Sequence, residues 1–123
     1  VLEPLAGYLL LAERLWTGDG QYVGSWNFGP DEADAGPVSR LADQLTAAWG
    51  NNVRWQQVGG EQPHEANYLR LDSSKARQQL GWLPKLHLAT ALEWVVEWYK
   101  AYGTGGDVKQ LTQEQIARFQ EIT

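Results

Sequence analysis

Apolar residues recur at helical spacing in several segments of this chain. After Glu3-Pro4, which can open a helix because proline suits a first turn, apolar residues continue to about Trp16. No charged residue occurs between Pro4 and Ala12. A helix that is apolar on nearly every side is normally buried on both faces. In a chain of 123 residues we therefore expect helix 4–16 to keep uncovered apolar surface and to drive self-association or domain swapping.

The same spacing predicts further helices, and alternating apolar residues predict short strands. The other helices are expected at 37–49, 73–80 and 88–102, with a short last helix that opens at the capping-box sequence Thr112-Gln113-Glu114-Gln115 and turns Ile116 and Phe119 inward. Short strands are expected at 22–28, 53–58 and 68–71. This pattern predicts one mixed α/β (α+β) domain over residues 1–123, with short strands and about five helices.

Local signals account for most of residues 64–84. Asp72 is placed to cap helix 73–80, because a carboxylate there accepts hydrogen bonds from the N–H groups of the first turn. Gly81 is expected to end that helix, Trp82 to fold back as a hydrophobic contact, and Pro84 to prevent continuation. These residues therefore need no functional explanation.

Composition and charge exclude several kinds of partner. The formal net charge of −5 argues against a nucleic-acid groove or an anionic membrane surface, since both favour Lys and Arg. The chain has no cysteine, which excludes disulfides and thiolate chemistry and is compatible with a cytoplasmic protein. Its two histidines, His64 and His87, lack the spacing of a metal site, so no metal is expected. The apolar stretch from Leu5 to Ala12 is too short to span a bilayer.

Catalytic and cofactor motifs are also absent from the sequence. There is no Gly-x-Gly-x-x-Gly turn between a predicted strand and helix, and no tyrosine has a lysine four positions later. We therefore expect no catalytic and no cofactor-binding residue in this chain. The candidate binding residues are His64 and Glu65, which follow Pro63 in a loop where a scaffold could present them to a ligand. A solvated loop without a ligand is the alternative.

Several segments resemble one enzyme family. The stretch from Pro63 to Pro84, with Leu-Asp-x-Ser-Lys-Ala and Leu-Gly-Trp-x-Pro, resembles the C-terminal signature of extended short-chain dehydrogenases that act on nucleotide sugars. The segments VLEPLAGYLLLAERLW, SWNFGP, PHEANYLRLDSSKA and ALEWVVEWYKAY resemble the CDP-glucose 4,6-dehydratase subfamily in particular.

The resemblance implies a fragment of a longer enzyme. Such lyases have an N-terminal Rossmann half that holds NAD and a C-terminal half that binds the nucleotide sugar, and this chain resembles the second half. The chain starts at Val1 without an initiator methionine, which fits that expectation. The resemblance assigns substrate binding to Glu65, with His64 as a neighbour. Gln62 stands where many relatives have arginine, and it lacks the charge and fork that favour phosphate.

Two alternatives remain at the level of sequence. The chain could be a stand-alone binding module derived from such a domain, or part of a related epimerase or of a GDP- or dTDP-sugar dehydratase. NAD is expected only in a full-length enzyme, and none is expected in this chain. A CDP-glucose-like nucleotide sugar is the expected partner of the full-length enzyme, and self-association through helix 4–16 is expected of this chain.

Overall fold

The computed structural model of the chain describes residues 1–18, 20–59 and 71–122. The regular structure in these ranges consists of α1 (Leu2–Thr17), α2 (Val38–Trp49), α3 (Leu88–Gly103) and α4 (Val108–Glu121), with a 3-10 turn at Glu32–Asp34 and a π-helical segment at Ala76–Leu80. The predicted helices 4–16, 37–49 and 88–102 are confirmed. None of the helices in these ranges is both long and apolar enough to cross a bilayer.

The main core forms where α1 meets Phe28. Gly7 is buried, and its lack of a side chain lets the Phe28 ring approach the helix: a Cβ built at Gly7 would lie 2.3 Å from Phe28 Cδ1. The ring makes edge contacts with Tyr8 and Trp82, with centroids 5.5 and 5.1 Å apart. The remaining buried residues of this cluster are Ala76 and Leu80. The packing of the Phe28 ring on Gly7 thus holds one face of α1 against the core.

The other helices form a second packed group. The helix α3 contacts both α2 and α4, and Leu92, Val96 and Phe119 are its buried apolar residues. Arg118 of α4 donates to Glu97 of α3 at 2.7 Å. The Glu3 carboxylate connects α1 to this group, since its Oε1 accepts from the backbone N–H groups of Lys85 and Leu86 at 2.8 and 2.6 Å.

The segment from Asp72 to Trp82 begins and ends as predicted, but the helix between these points is of an unexpected type. Asp72 Oδ1 accepts from the Ser74 N–H at 2.8 Å, so the cap is confirmed. Gly81 is left-handed (φ 68°, ψ 17°), and the Trp82 N–H donates to the Ala76 carbonyl at 3.2 Å, which confirms the stop. Between them, Ala76–Leu80 is π-helical and not a regular α-helix.

The prediction of a mixed α/β fold with short strands is wrong. The described residues contain no strand and no sheet, so their fold is all-helical and a Rossmann-type architecture is unsupported. The segments 22–28 and 53–58 are irregular, and of 68–71 only Leu71 is described. A strand exists only when its backbone groups pair with a neighbour. Here the Gly29 N–H donates to Ser73 Oγ instead, at 2.8 Å.

The predicted start of the last helix is also wrong. The helix α4 begins at Val108, because the Asp107 side chain accepts from the Gln110 N–H at 2.9 Å and caps it there. Thr112 lies inside the helix, and its hydroxyl donates to the Val108 carbonyl at 2.7 Å. Of the two residues predicted to face inward, Phe119 is buried while Ile116 is exposed. The helix starts at the Asp107 cap because this start adds a turn of backbone hydrogen bonds to the helix.

Candidate functional site

The predicted binding residues, His64 and Glu65, lie outside the described residues. The described chain stops at Gly59 and resumes at Leu71. Leu71 borders an open cleft of about 1080 Å³, at the upper end of the size of small-molecule sites. This cleft is the candidate site that can be built from the described residues.

Four segments of the chain form the walls of the cleft. They are the loop 30–37, the first turns of α2 and α3, and residues 71–77. Apolar side chains, among them Leu41, Leu71 and Leu88, alternate on the walls with charged ones. Such a mixture is typical of sites in which apolar walls exclude water and a few polar groups fix a ligand's orientation.

Two residues that line the cleft, Asp31 and Arg77, form an ion pair. Arg77 Nη2 donates to Asp31 Oδ1 at 2.7 Å, with the two side chains 31% and 42% exposed. A pair this exposed contributes little to stability, but it fixes the loop 30–37 against the π-helical segment. A guanidinium has five N–H donors, so Arg77 retains donors for a ligand after binding Asp31.

The neighbouring residues Asp72 and Ser73 are occupied by structural hydrogen bonds. Hydrogen bonds from the Ser74 side chain and backbone N–H hold the pKa of Asp72 below its usual value. The buried Ser73 hydroxyl accepts from the Gly29 N–H, and the Asp72 carbonyl accepts from Asn27 Nδ2 at 3.3 Å. These two residues shape the cleft wall and hold it to segment 27–29.

Asp34 and Arg40 also line the cleft. His87 Nδ1 lies 3.3 Å from Asp34 Oδ2, with the imidazole 80% exposed and the carboxylate only 14% exposed. The guanidinium of Arg40, in the first turn of α2, makes no hydrogen bond or ion pair with any described residue. Among the described residues Arg40 therefore presents an unpaired guanidinium at the cleft, whereas Arg77 is paired with Asp31.

The chemistry of the cleft suits a ligand rich in hydroxyl groups. Its lining has two guanidinium groups, which donate hydrogen bonds, and four carboxylates, which accept them: Asp31, Glu32, Asp34 and Asp72. The surplus of carboxylates disfavours an anion as the sole ligand. Among the residues that the structure describes, no three His, Cys, Asp or Glu side chains are grouped to hold a metal.

Sequence reasoning missed the pairs that organise this cleft. Asp31 and Arg77 are 46 positions apart, and Asp34 and His87 are 53 apart. Residues 31–36 contain three acidic side chains, but the sequence does not indicate which cations pair with them.

Comparison with known proteins supplies the functional context. All 123 residues align at 41% identity with a curated protein of Salmonella typhimurium, CDP-glucose 4,6-dehydratase. This chain is similar to CDP-glucose 4,6-dehydratase. The resemblance indicated by the sequence motifs is therefore confirmed along the whole chain. The chain spans 34% of the length of the Salmonella dehydratase, and no family model matches it.

The NAD that the resemblance implies for such dehydratases does not fit the described residues. A dinucleotide site needs a strand, a glycine-rich turn and an uncapped helix start that receives the pyrophosphate. Here no described helix follows a strand, and α1 begins with Glu3 and Pro4 in its first turn. The start of α4 is occupied by the Asp107 carboxylate. No step of the chemistry is therefore assigned to a cofactor held by these residues.

Proposed function

We propose that this chain is the nucleotide-sugar-binding portion of a CDP-glucose 4,6-dehydratase-type lyase. The supporting observation is the 41% identity to the Salmonella enzyme, which extends over every residue of the chain. The chain spans 34% of that enzyme, and in our proposal catalysis belongs to a longer protein that also supplies NAD and the acid–base residues. The reaction of such a lyase converts a nucleotide-linked hexose to its 4-keto-6-deoxy form.

Glu65 is our proposed contact to the nucleotide end of the substrate, with His64 beside it. A carboxylate accepts hydrogen bonds from a ribose diol or from the amino group of cytosine. Six positions after Glu65 the chain reaches Leu71, at the border of the cleft. The excess of carboxylate acceptors over guanidinium donors in that cleft supports its use for the sugar, which is rich in hydroxyl groups.

Arg40 is the described residue that best suits a phosphate of the same substrate. Many relatives in the resembled family have arginine where this chain has Gln62, so a diphosphate here needs another cation. The guanidinium of Arg40 is unpaired among the described residues, and a guanidinium binds phosphate oxygens through two parallel hydrogen bonds. Arg77 is a weaker candidate because Asp31 already occupies it.

A chimaeric enzyme tests the proposed function directly. The matching third of the Salmonella dehydratase is replaced by this chain, and formation of the 4-keto product from CDP-glucose is followed. We expect turnover with CDP-glucose and much weaker turnover with UDP-, GDP- and dTDP-glucose. A folded chimaera that prefers another nucleotide would support a related dehydratase or epimerase. A folded chimaera without affinity for any nucleotide sugar would support the stand-alone module.

The binding role of Glu65 is tested in the same chimaera with a matched control. Glu65→Gln should weaken CDP-glucose binding by about 10- to 100-fold, the usual cost of losing a charged hydrogen-bond acceptor. Glu61→Gln removes the same charge four positions earlier and should leave affinity unchanged. Asp72→Ala should lower the melting temperature without changing affinity, because Asp72 caps a helix. If Glu65→Gln binds normally, Glu65 does not contact the substrate.

A further inference from the structure

The chain contains seven tryptophans, and most of their rings already have a partner. Five have an aromatic or cationic side chain against the ring: Trp26, Trp49, Trp82, Trp94 and Trp98. Trp16 and Trp55 have no such partner among the described residues, and they are 90% and 39% exposed. Trp16 belongs to the uncovered apolar surface predicted for helix 4–16, and no residue of α1 lines the cleft. Trp55 is therefore the free indole to consider beside the candidate site.

The helix α2 fixes the position of Trp55. Its indole Nε1 donates to Asp43 Oδ1 at 2.8 Å. Asp43 follows Arg40 by three positions on α2, which makes the two side chains neighbours on the helix surface, with about 5–6 Å between their Cβ atoms. Arg40 lines the cleft, whereas Asp43 and Trp55 do not. Arg40 thus lies at the edge of the cleft, and Trp55 lies outside it, next to Arg40.

We propose that Trp55 is the surface on which the base of the nucleotide sugar stacks. This inference rests on the proposed function, with the sugar in the cleft and a phosphate on Arg40. Sugar, diphosphate and nucleoside follow one another in such a ligand. The cleft, Arg40 and Trp55 follow one another in the same order on the surface of the chain. The face of an indole suits this role because every base has a π-face that can stack on an aromatic ring.

Asp43 is the positioning residue for the Trp55 ring. The hydrogen bond from Nε1 restricts rotation of the ring before a ligand arrives, so less side-chain freedom is lost on binding. That bond uses the edge of the indole and leaves its face for a base. Because the indole has no other polar group, Trp55 adds affinity without distinguishing cytosine from uracil. Selection between bases is left to the polar groups of the site, Glu65 among them in our proposal.

Titrations of the isotope-labelled 123-residue chain, followed by nuclear magnetic resonance, test the stacking. CDP-glucose and UDP-glucose carry a base, whereas glucose 1-phosphate carries none. Trp55→Leu should weaken the binding of both nucleotide sugars by about 10- to 100-fold and leave the ratio of their affinities unchanged. The affinity for glucose 1-phosphate should stay the same, since that ligand ends at the phosphate. Trp55→Phe keeps an aromatic face and should retain most of the affinity for the nucleotide sugars.

Trp16→Leu is the matched control, because it removes an exposed indole from α1 and should change no affinity. In the wild-type chain, the indole N–H signal that Trp55→Phe removes should shift when CDP-glucose is added and stay in place with glucose 1-phosphate. Equal losses of affinity for all three ligands in Trp55→Leu would show a merely structural role and overturn the inference. Normal binding of CDP-glucose by Trp55→Leu would overturn it and leave the proposed function intact. A wild-type chain that binds no nucleotide sugar would overturn both.

Discussion

Gly7→Ala adds one methyl group at the point where α1 meets the core, and its effect on stability should be opposite to that of the same change elsewhere. At an exposed helical position alanine is favoured over glycine by about 1 kcal/mol. At position 7 the new Cβ would lie 2.3, 2.6 and 2.7 Å from three atoms of the Phe28 ring. The ring has little room to turn away, because Tyr8 and Trp82 contact it edge-on.

The expected change in the free energy of unfolding is the cost of the clash with Phe28 minus the gain in helix propensity. Overpacking a core usually costs about 1–3 kcal/mol, and a clash with three atoms of a confined ring belongs at the upper end of that range. Subtracting about 1 kcal/mol of helix propensity leaves a net loss of about 2 kcal/mol in the free energy of unfolding. For a domain of this size that is a fall in melting temperature of about 6–10 °C.

The assay is urea and thermal unfolding followed by far-ultraviolet circular dichroism, at one protein concentration for all variants. Gly103→Ala is the matched control, since its added Cβ meets no atom within 4 Å at the end of α3. It should be as stable as the wild type or slightly more so. The double variant Gly7→Ala, Phe28→Leu should recover part of the loss. If Gly7→Ala stabilises the chain as the control does, Phe28 does not pack on α1.

Three further predictions concern α4, pH and cofactor binding. Asp107→Ala should lower the free energy of unfolding by about 1 kcal/mol, measured by urea titration, because the Gln110 N–H loses its cap. The Arg118 guanidinium holds the pKa of Glu97 below its ordinary value of 4.5. The stability from this pair is therefore present above that pH and lost as the pH falls through the lowered pKa. In the Arg118→Gln variant the free energy of unfolding should fall less as the pH is lowered. Unfolding curves recorded at successive pH values measure this difference. The chain alone should neither bind NAD in calorimetry nor form the 4-keto product from CDP-glucose. Micromolar NAD affinity would contradict that expectation.

The features of the fold that could be predicted are those whose sequence signals lie within a few residues of the element they delimit. Proline before α2 and Gly50 after it lie within a turn of the helix they delimit, and Gly50 has the positive φ (74°) expected of a stop. The Asp72 cap spans two positions and was equally readable. The capping-box sequence at Thr112 predicted the wrong start for the last helix, because the Asp107 cap lies more than one turn earlier.

The alternation in residues 22–28 shows the limit of local reading. The alternation predicts a strand that carries Trp26 and Phe28, but a strand also needs a backbone partner, and periodicity carries no information about one. In the described chain Trp26 Nε1 donates to the Tyr22 carbonyl at 2.9 Å, and the Phe28 ring packs on Gly7. Both side chains therefore make stabilising contacts in the described chain although no sheet is present there.

The sequence by itself determined the three longer predicted helices, the cap and stop around residues 72–81, and the apolar excess of α1, because each depends on residues within a few positions of one another. Only the tertiary structure decided which face of α1 is covered, how Glu3 reaches the N–H groups of Lys85 and Leu86, and that Asp31 pairs with Arg77. These contacts join residues 46 to 83 positions apart. Closing such loops depends on the packing of the whole chain, and many alternative pairings satisfy the same local pattern.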